Sequence, residues 1–309
     1  MNEQPVIQTR GLTRYFGSKP AVYELNLEVP RGGVFAFLGR NGSGKSTTIR
    51  MLLGLLVPTR GGGSVLGCDI RALTPEVRAR IGYLPEEHPL YGRLTVRESG
   101  EFQSSGYPRW NEKVFQSVIG HFGLNARARV QDLSRGERAG LSLALTLAPE
   151  PELLILDDPG MGLDPVARRS LVESMIYLTR RPDRTIFFST HQLTDVERVG
   201  DRIGVMDRSV LRACCSLETF RSRVRQVRLF FGGPPPPLPE IPGLLQVFRM
   251  ERELRIPYVQ SDCGAEPSFQ ALGPLRVEPE PLSLEDAFIS YLSERGEKSF
   301  ILAETEAQP

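Results

Sequence analysis

"GRNGSGKST", residues 39–47, follows the apolar run "GGVFAFLG" and precedes "TIRMLLGLL", in which Ile49, Leu52, Leu53 and Leu56 recur at helical spacing. A buried strand, a glycine-rich turn and a helix follow from that order. The nine residues match G-x-x-x-x-G-K-[ST] in the strand–turn–helix setting that the pattern requires. Backbone N–H groups of Gly39, Arg40, Asn41, Gly42, Ser43 and Gly44 can converge on phosphate oxygens, and the helix N-terminus adds partial positive charge. Lys45 is expected to reach the β- and γ-phosphates and the Ser46 hydroxyl to ligate Mg²⁺, with Thr47 completing the motif. Lysine occurs at just four positions, 19, 45, 113 and 298, among many arginines, so its presence here is not a matter of supply.

Two further apolar runs, "ELLILD" at 152–157 and "RTIFFST" at 184–190, read as strands covered on both faces, and with the first they predict an α/β core around a parallel sheet. Asp157 closes one of these strands and supplies the acid that a phosphate-loop site needs for its metal. Asp158 follows it directly, and a like charge there calls for a separate task. Residues 85–148 carry helix-like patterns and read as a mostly helical insertion, while "RIGVMDRSVLRA" at 202–213 reads as a hairpin closing the first domain. The proline-rich stretch at 232–243 breaks the composition as a linker or exposed loop. Beyond it, "LLQVFRM" and "RELRIPYVQ" can pair as strands, and Ser283 with Asp286 forms a capping-box pattern before a helix. The expected organisation is thus a domain over residues 1–220, with the insertion at 85–148, and a small α+β accessory domain over 221–309 that ends in a loose tail.

Lys and Arg total 38 against 37 Asp and Glu, a net charge of +1, which gives no electrostatic case for a nucleic-acid partner. Cys68, Cys214, Cys215 and Cys263 are too few and too scattered for a disulfide scaffold. The start lacks the pattern of a secretory signal, and no window nears the ~20 apolar residues that span a bilayer. His88 and His121 are expected as an exposed loop residue and a helix-end residue, neither of them a metal ligand.

"LSRGE", Leu133 to Glu137, adds the decisive motif, because it resembles the LSGGQ signature of ATP-binding-cassette ATPases. Phosphate loop, signature, acidic strand end, "GLDP" at 162–165 and "STH" at 189–191 occur in that family's order over roughly residues 5–220. The remainder more weakly resembles the C-terminal extension of bacterial cassette subunits that work with separate permeases, down to the "LEDAF" at 284–288. The resemblance implies a P-loop NTPase core with ATP and Mg²⁺ as cofactors, and Ser46, Asp157 and Glu86 as the metal-side residues. It implies an adenine-stacking aromatic at Phe16, with Tyr15 as the other choice. Ser134, Arg135, Gly136 and Glu137 would face the ATP of a second subunit, Asp164 would link the two sites, and His191 would contact the γ-phosphate. The implied partners are a second copy of the chain or a related cassette and a separate membrane permease. The location that follows is cytoplasmic, on the inner face of the membrane, and the implied function is ATP-driven transport, with export favoured.

Four departures from the family pattern carry physical consequences. Asp158 stands where the family has its catalytic glutamate, keeping the charge on an arm one methylene shorter. Glu86 replaces a glutamine beside the metal, and Arg135 replaces a signature glycine, where its guanidinium either favours phosphate or lies in solvent. Gly160 and Met161 replace a threonine and a serine after the acid pair. These departures keep open a low-turnover ATP switch and a non-transport cassette ATPase as competing functions.

Overall fold

Apolar runs that are hydrophobic on both faces must be covered on both faces, and here they become neighbouring strands of one parallel sheet. The structure, a computed structural model of the chain, describes residues 4–178, 184–239, 241, 243–260, 269–293 and 302–303. Cys263 and residues 304–309 of the tail lie outside the described residues, as do Glu240 and Pro242 of the proline-rich stretch. The chain divides into two compact units, residues 1–211 and 212–309, a division that falls ahead of the sequence-based boundary at 220.

The first unit opens with β1 (Ile7–Phe16), β2 (Lys19–Leu25), β3 (Glu28–Val29) and β4 (Gly33–Gly39), then α1 (Lys45–Leu52), β5 (Arg60–Val65), β6 (Cys68–Asp69), α2 (Pro75–Arg78) and β7 (Ile81–Leu84). Helices α3 (Val96–Ser104), α4 (Glu112–His121) and α5 (Arg135–Leu147) follow. The unit continues through β8 (Leu153–Asp157), α6 (Pro165–Leu178), β9 (Thr185–Thr190), α7 (Leu193–Val199) and β10 (Arg202–Asp207), and β11 (Val210–Ser216) carries the chain across the division. Five of these strands lie in the order β10-β4-β9-β8-β7, all parallel. Register places Leu38 beside Thr190 and Asp157 beside Ser189, so β4, β8 and β9 end at one level. Ligands of such sheets gather at the carboxyl ends of the strands. Strands β1, β2, β3, β5 and β6 form a separate antiparallel sheet that the sequence reading did not anticipate. The turn between β10 and β11 holds Arg208 and Ser209 at φ 45° and 72°, the left-handed pair that a tight hairpin uses.

The insertion is helical because its starts are capped. Thr95 and Glu98 form one capping box, Ser134 and Glu137 another, and Asn111 caps α4. Val96, Phe115, Ile119, Leu141 and Ala144 close a core shared by the three helices, with Trp110 packed 5.4 Å from Phe115. Glycine at 140 lets α4 and α5 approach, since a Cβ there would collide with the Phe122 ring.

The second unit comprises α8 (Leu217–Arg223), β12 (Val224–Phe230), β13 (Phe248–Arg249), β14 (Glu253–Val259), β15 (Arg276–Glu280), α9 (Leu284–Leu292) and β16 (Leu302–Ala303). Its antiparallel sheet runs β13-β14-β12-β15 around buried Leu229, Leu254 and Ile256. Ser283 caps α9 by accepting from the Asp286 backbone N–H at 3.0 Å. Glu253 is held at about 2 by the Arg228 and Arg255 guanidinium groups that donate to it. Among the described residues, no helix is long and apolar enough to cross a membrane.

Leu141 is fully buried, so Leu141→Ala is expected to cost about 2–5 kcal/mol. Trp110 is the chain's single tryptophan and lies in the same core, so its fluorescence in a urea titration reads that loss directly, as a lower midpoint.

Candidate functional site

The phosphate loop bridges β4 and α1, and its geometry depends on glycine. Gly42 and Gly44 have φ of 78° and 108°, and a Cβ on Gly44 would collide with the Ala21 carbonyl of β2. Lys45 turns back over the loop and donates to the carbonyls of Gly39 at 2.7 Å and Arg40 at 3.3 Å. Burial pushes its ammonium below the ordinary range, while Asp158, Asp157 and Glu86 oppose the effect. The buried Ser43 hydroxyl has no hydrogen-bond partner, an acceptor and donor left over inside the loop.

Asp157 sits at the end of β8, buried, and accepts on one oxygen from Ser46 at 3.0 Å and from Ser189 at 2.7 Å. Ser189 in turn accepts from the Asp158 backbone N–H at 2.9 Å. Asp158 takes φ 42°, a left-handed conformation that aspartate tolerates better than most residues. Its Oδ2 meets His191 Nδ1 at 2.6 Å. The two acids of the pair therefore diverge: Asp157 joins the phosphate loop to β9, and Asp158 pairs with the histidine that follows β9.

A cleft of about 310 Å³ opens between the loop, from Asn41 to Thr47, and Glu86, Asp157, Asp158 and Met161 opposite. Burial, then the charges of Asp157 and Asp158, push the Glu86 carboxyl up. A hydroxyl and a carboxylate oxygen within one hydrogen bond of each other suit a hard divalent cation. Among the described residues, no group of three or more His, Cys, Asp or Glu side chains is placed to hold a metal unaided. Ser46 and Asp157 thus suit a cation that brings phosphate oxygens with it, and the loop's glycine cradle and spare Ser43 hydroxyl suit the phosphates.

None of the signature residues lines this cleft. Ser134 and Glu137 cap each other at the start of α5, with Ser134 accepting from the Glu137 N–H at 3.2 Å and donating its own N–H to Glu137 at 2.8 Å. A Cβ on Gly136 would lie 2.8 Å from the Ala167 methyl, so this helix start abuts the start of α6. There Asp164 accepts from the backbone of Val166 and Ala167. The Arg135 guanidinium lies 3.4 Å from where a Gly162 side chain would begin, beside that loop. Phe16 is 53% exposed, at the tip of the β1–β2 hairpin whose Ala21 lines the cleft.

Two features escaped the sequence reading. Arg168 of α6 donates from Nε and Nη2 to Asp195 of α7, the shorter contact 2.6 Å, and its side chain lies 3.4 Å from where a Gly160 side chain would begin. This clamp ties the loop after the acid pair to the segment after His191, at a place where Gly160 and Met161 offer no hydroxyl. His88 corrects the expectation of an exposed loop residue, because it is buried at φ 47°. Burial pushes its imidazole below the usual range, with the Pro159 backbone opposing and Arg138 adding to the effect, and no hydrogen bond of good geometry reaches either ring nitrogen. His121 ends α4, the helix-end position expected of it, and is exposed.

Residues 22–160 match the family model described as ABC transporter. The chain is 34% identical over 223 residues to the bacitracin transport ATP-binding protein BcrA of Bacillus licheniformis, covering 72% of this chain and 73% of that one. It is 32% identical over 301 residues to the Nod factor export ATP-binding protein I of Rhizobium sp. (strain N33), covering 94% and 98%. A solved structure described as the ATP-binding subunit of an ABC transporter superposes with a TM-score of 0.63 at 28% identity, over 70% of this chain and 92% of that one.

Replacing Ser189 with alanine leaves buried Asp157 with one donor and the Asp158 N–H with none. The expected loss is about 1–3 kcal/mol, visible in thermal denaturation as a lower melting temperature with the far-ultraviolet spectrum unchanged.

Proposed function

Because the chain belongs to the ABC transporter family of ATP-binding, ATP-hydrolysing cassettes, we propose that its cleft at the carboxyl ends of β4, β8 and β9 binds ATP with Mg²⁺ and that hydrolysis there drives a separate membrane permease, in the export direction. The observation that carries the site is the convergence of Ser46 and Ser189 on one oxygen of Asp157, with Asp158 and His191 paired beside it. Lys45 leaves its loop carbonyls for the β- and γ-phosphates, while Ser46, Asp157 and Glu86 stand on the metal side. A bound magnesium ion would neutralise charge that develops on the phosphates. Asp158 orients the attacking water and accepts its proton, and His191 holds the Asp158 carboxylate while facing the γ-phosphate.

The signature residues Ser134, Arg135, Gly136 and Glu137 do not line the cleft of their own chain, which supports a head-to-tail pair in which each cassette completes the other's site. Asp164, beside Gly136, carries the link between the two. Residues 1–220 act as the ATPase domain, residues 85–148 as its helical arm, and residues 221–309 as an accessory domain. A groove of about 160 Å³ lined by Tyr83, Pro85, Pro89, Gln103, Tyr107 and Thr146 supports permease docking on the arm, next to Glu86. Exposed Tyr91 and Phe102, packed edge to face at 5.4 Å, add apolar surface to that region. The relatives' names, one of bacitracin transport and one of Nod factor export, favour export. In this reading the chain works on the inner face of a membrane, held there by its permease.

Aspartate in place of glutamate shortens the reach to the water, and a misplacement near 1 Å costs on the order of a hundredfold in rate. Turnover is therefore expected to be slow, to rise in Asp158→Glu and to vanish in Asp158→Asn, as read by phosphate release from the purified protein. A glutamate variant no faster, or an asparagine variant fully active, overturns the role given to Asp158. Parent turnover at background in the presence of membranes favours an ATP switch instead.

Light scattering of Asp158→Asn with Mg-ATP checks the pairing separately. The mass is expected to double, and Ser134→Arg in the same background is expected to restore the single chain.

A further inference from the structure

We propose that Arg14 is a positioning residue that holds the Phe16 ring as a platform for the adenine base, an inference that rests on the reading of the cleft as an ATP site. The Arg14 guanidinium carbon lies 4.9 Å from the centre of the Phe16 ring. Its Nη1 donates to the Val57 carbonyl at 2.9 Å, which anchors the guanidinium to the segment after α1. Its Nε is buried and has no hydrogen-bond partner, so that edge of the group is spent on packing. Register slips between Arg14 and Tyr15, where Arg14 faces Val22 and Tyr15 faces Pro20. Arg14 and Phe16 are two residues apart on β1, the spacing that puts strand side chains on one face, and this brings the guanidinium and the ring together.

The consequence is a ring held on one side and open on the other. Phe16 is 53% exposed, so a large apolar surface stands in solvent at the hairpin tip, where burial would normally be favoured. Phe16 pairs with Lys19, two residues before the Ala21 that lines the cleft, which brings the open ring to the rim of the phosphate site. Tyr15 is half-buried and opposite Pro20, a poorer platform. A free phenylalanine at a hairpin tip would lose rotamer freedom on stacking with a base. Arg14 removes that freedom beforehand, so less is lost on binding. Cation–π attraction supplies the hold, and the planar guanidinium suits it better than an ammonium. Both residues lie before the region matched by the family model, which begins at residue 22.

The test separates the base from the phosphates by titration calorimetry with Mg-ATP and with magnesium tripolyphosphate, using the whole chain. Arg14→Met is expected to weaken ATP binding about two- to fivefold and to leave tripolyphosphate unchanged, and Arg14→Lys to recover part of the loss. Phe16→Ala is expected to erase the preference for ATP over tripolyphosphate, a change of about fivefold or more. If Phe16→Ala behaves so while both Arg14 variants bind ATP as the parent does, the positioning role is wrong and the platform stands. If Phe16→Ala changes nothing, the platform reading fails, and Arg14 has no base to position. Equal weakening of ATP and tripolyphosphate in Arg14→Lys, the variant that keeps charge and length, assigns Arg14 to the fold alone and also overturns the proposal.

Discussion

A single carboxylate oxygen with two hydroxyl donors holds the centre of this molecule together. Asp157 Oδ1 accepts from Ser46 on the helix after β4 and from Ser189 at the end of β9. Because Asp157 closes β8, the contact ties three adjacent strands at the level where they end. A buried carboxylate without donors is costly, and one with two donors is satisfied and held in one orientation. The same oxygen that steadies the sheet therefore keeps an anion aimed at the phosphate loop, and structural and chemical demands coincide in one side chain.

The neighbouring acid has a different environment although it is adjacent in sequence. Asp158 takes a left-handed φ of 42°, and its side chain meets His191 while that of Asp157 meets Ser46 and Ser189. A left-handed position disfavours long side chains less than branched ones, yet aspartate is among the residues that enter it most readily. The departure from the family's glutamate thus gains local conformational ease while it loses reach. Arg168 and Asp195 brace the loop that follows, where Gly160 and Met161 cannot. The loop keeps a brace of a different chemical kind, an ion pair between α6 and α7 in place of local hydroxyl bonds.

Several parts of this arrangement were readable as pattern. The strand–glycine–helix order around residues 32–56, the acid at the end of "LLILD" and the helical character of residues 85–148 depend on neighbours in the chain, and each appears at its place in the structure. The antiparallel sheet of β1, β2, β3, β5 and β6 was not readable, since β1 and β5 are rich in polar residues and glycine and pair across about fifty residues of chain. His88 looked like an exposed loop residue because "PEEHPLY" is polar and proline-flanked. Its burial comes from parts of the chain brought near by the fold, among them Arg138 of α5 and Pro159 after β8.

The sequence by itself determined which groups exist and their local frame: the phosphate loop, the paired acids, the capped signature helix and the family to which they belong. These are short-range properties, dictated by backbone freedom at glycine, by side-chain chemistry and by spacing along the chain. Only the tertiary structure decided which partner each group has. It set Asp157 between two serines, gave Asp158 to His191, clamped Arg168 to Asp195 and laid Arg14 behind Phe16. Apart from Arg14 and Phe16, two residues apart on β1, those contacts join residues from different strands, helices and loops, where distance depends on sheet order and register, quantities that no local pattern encodes.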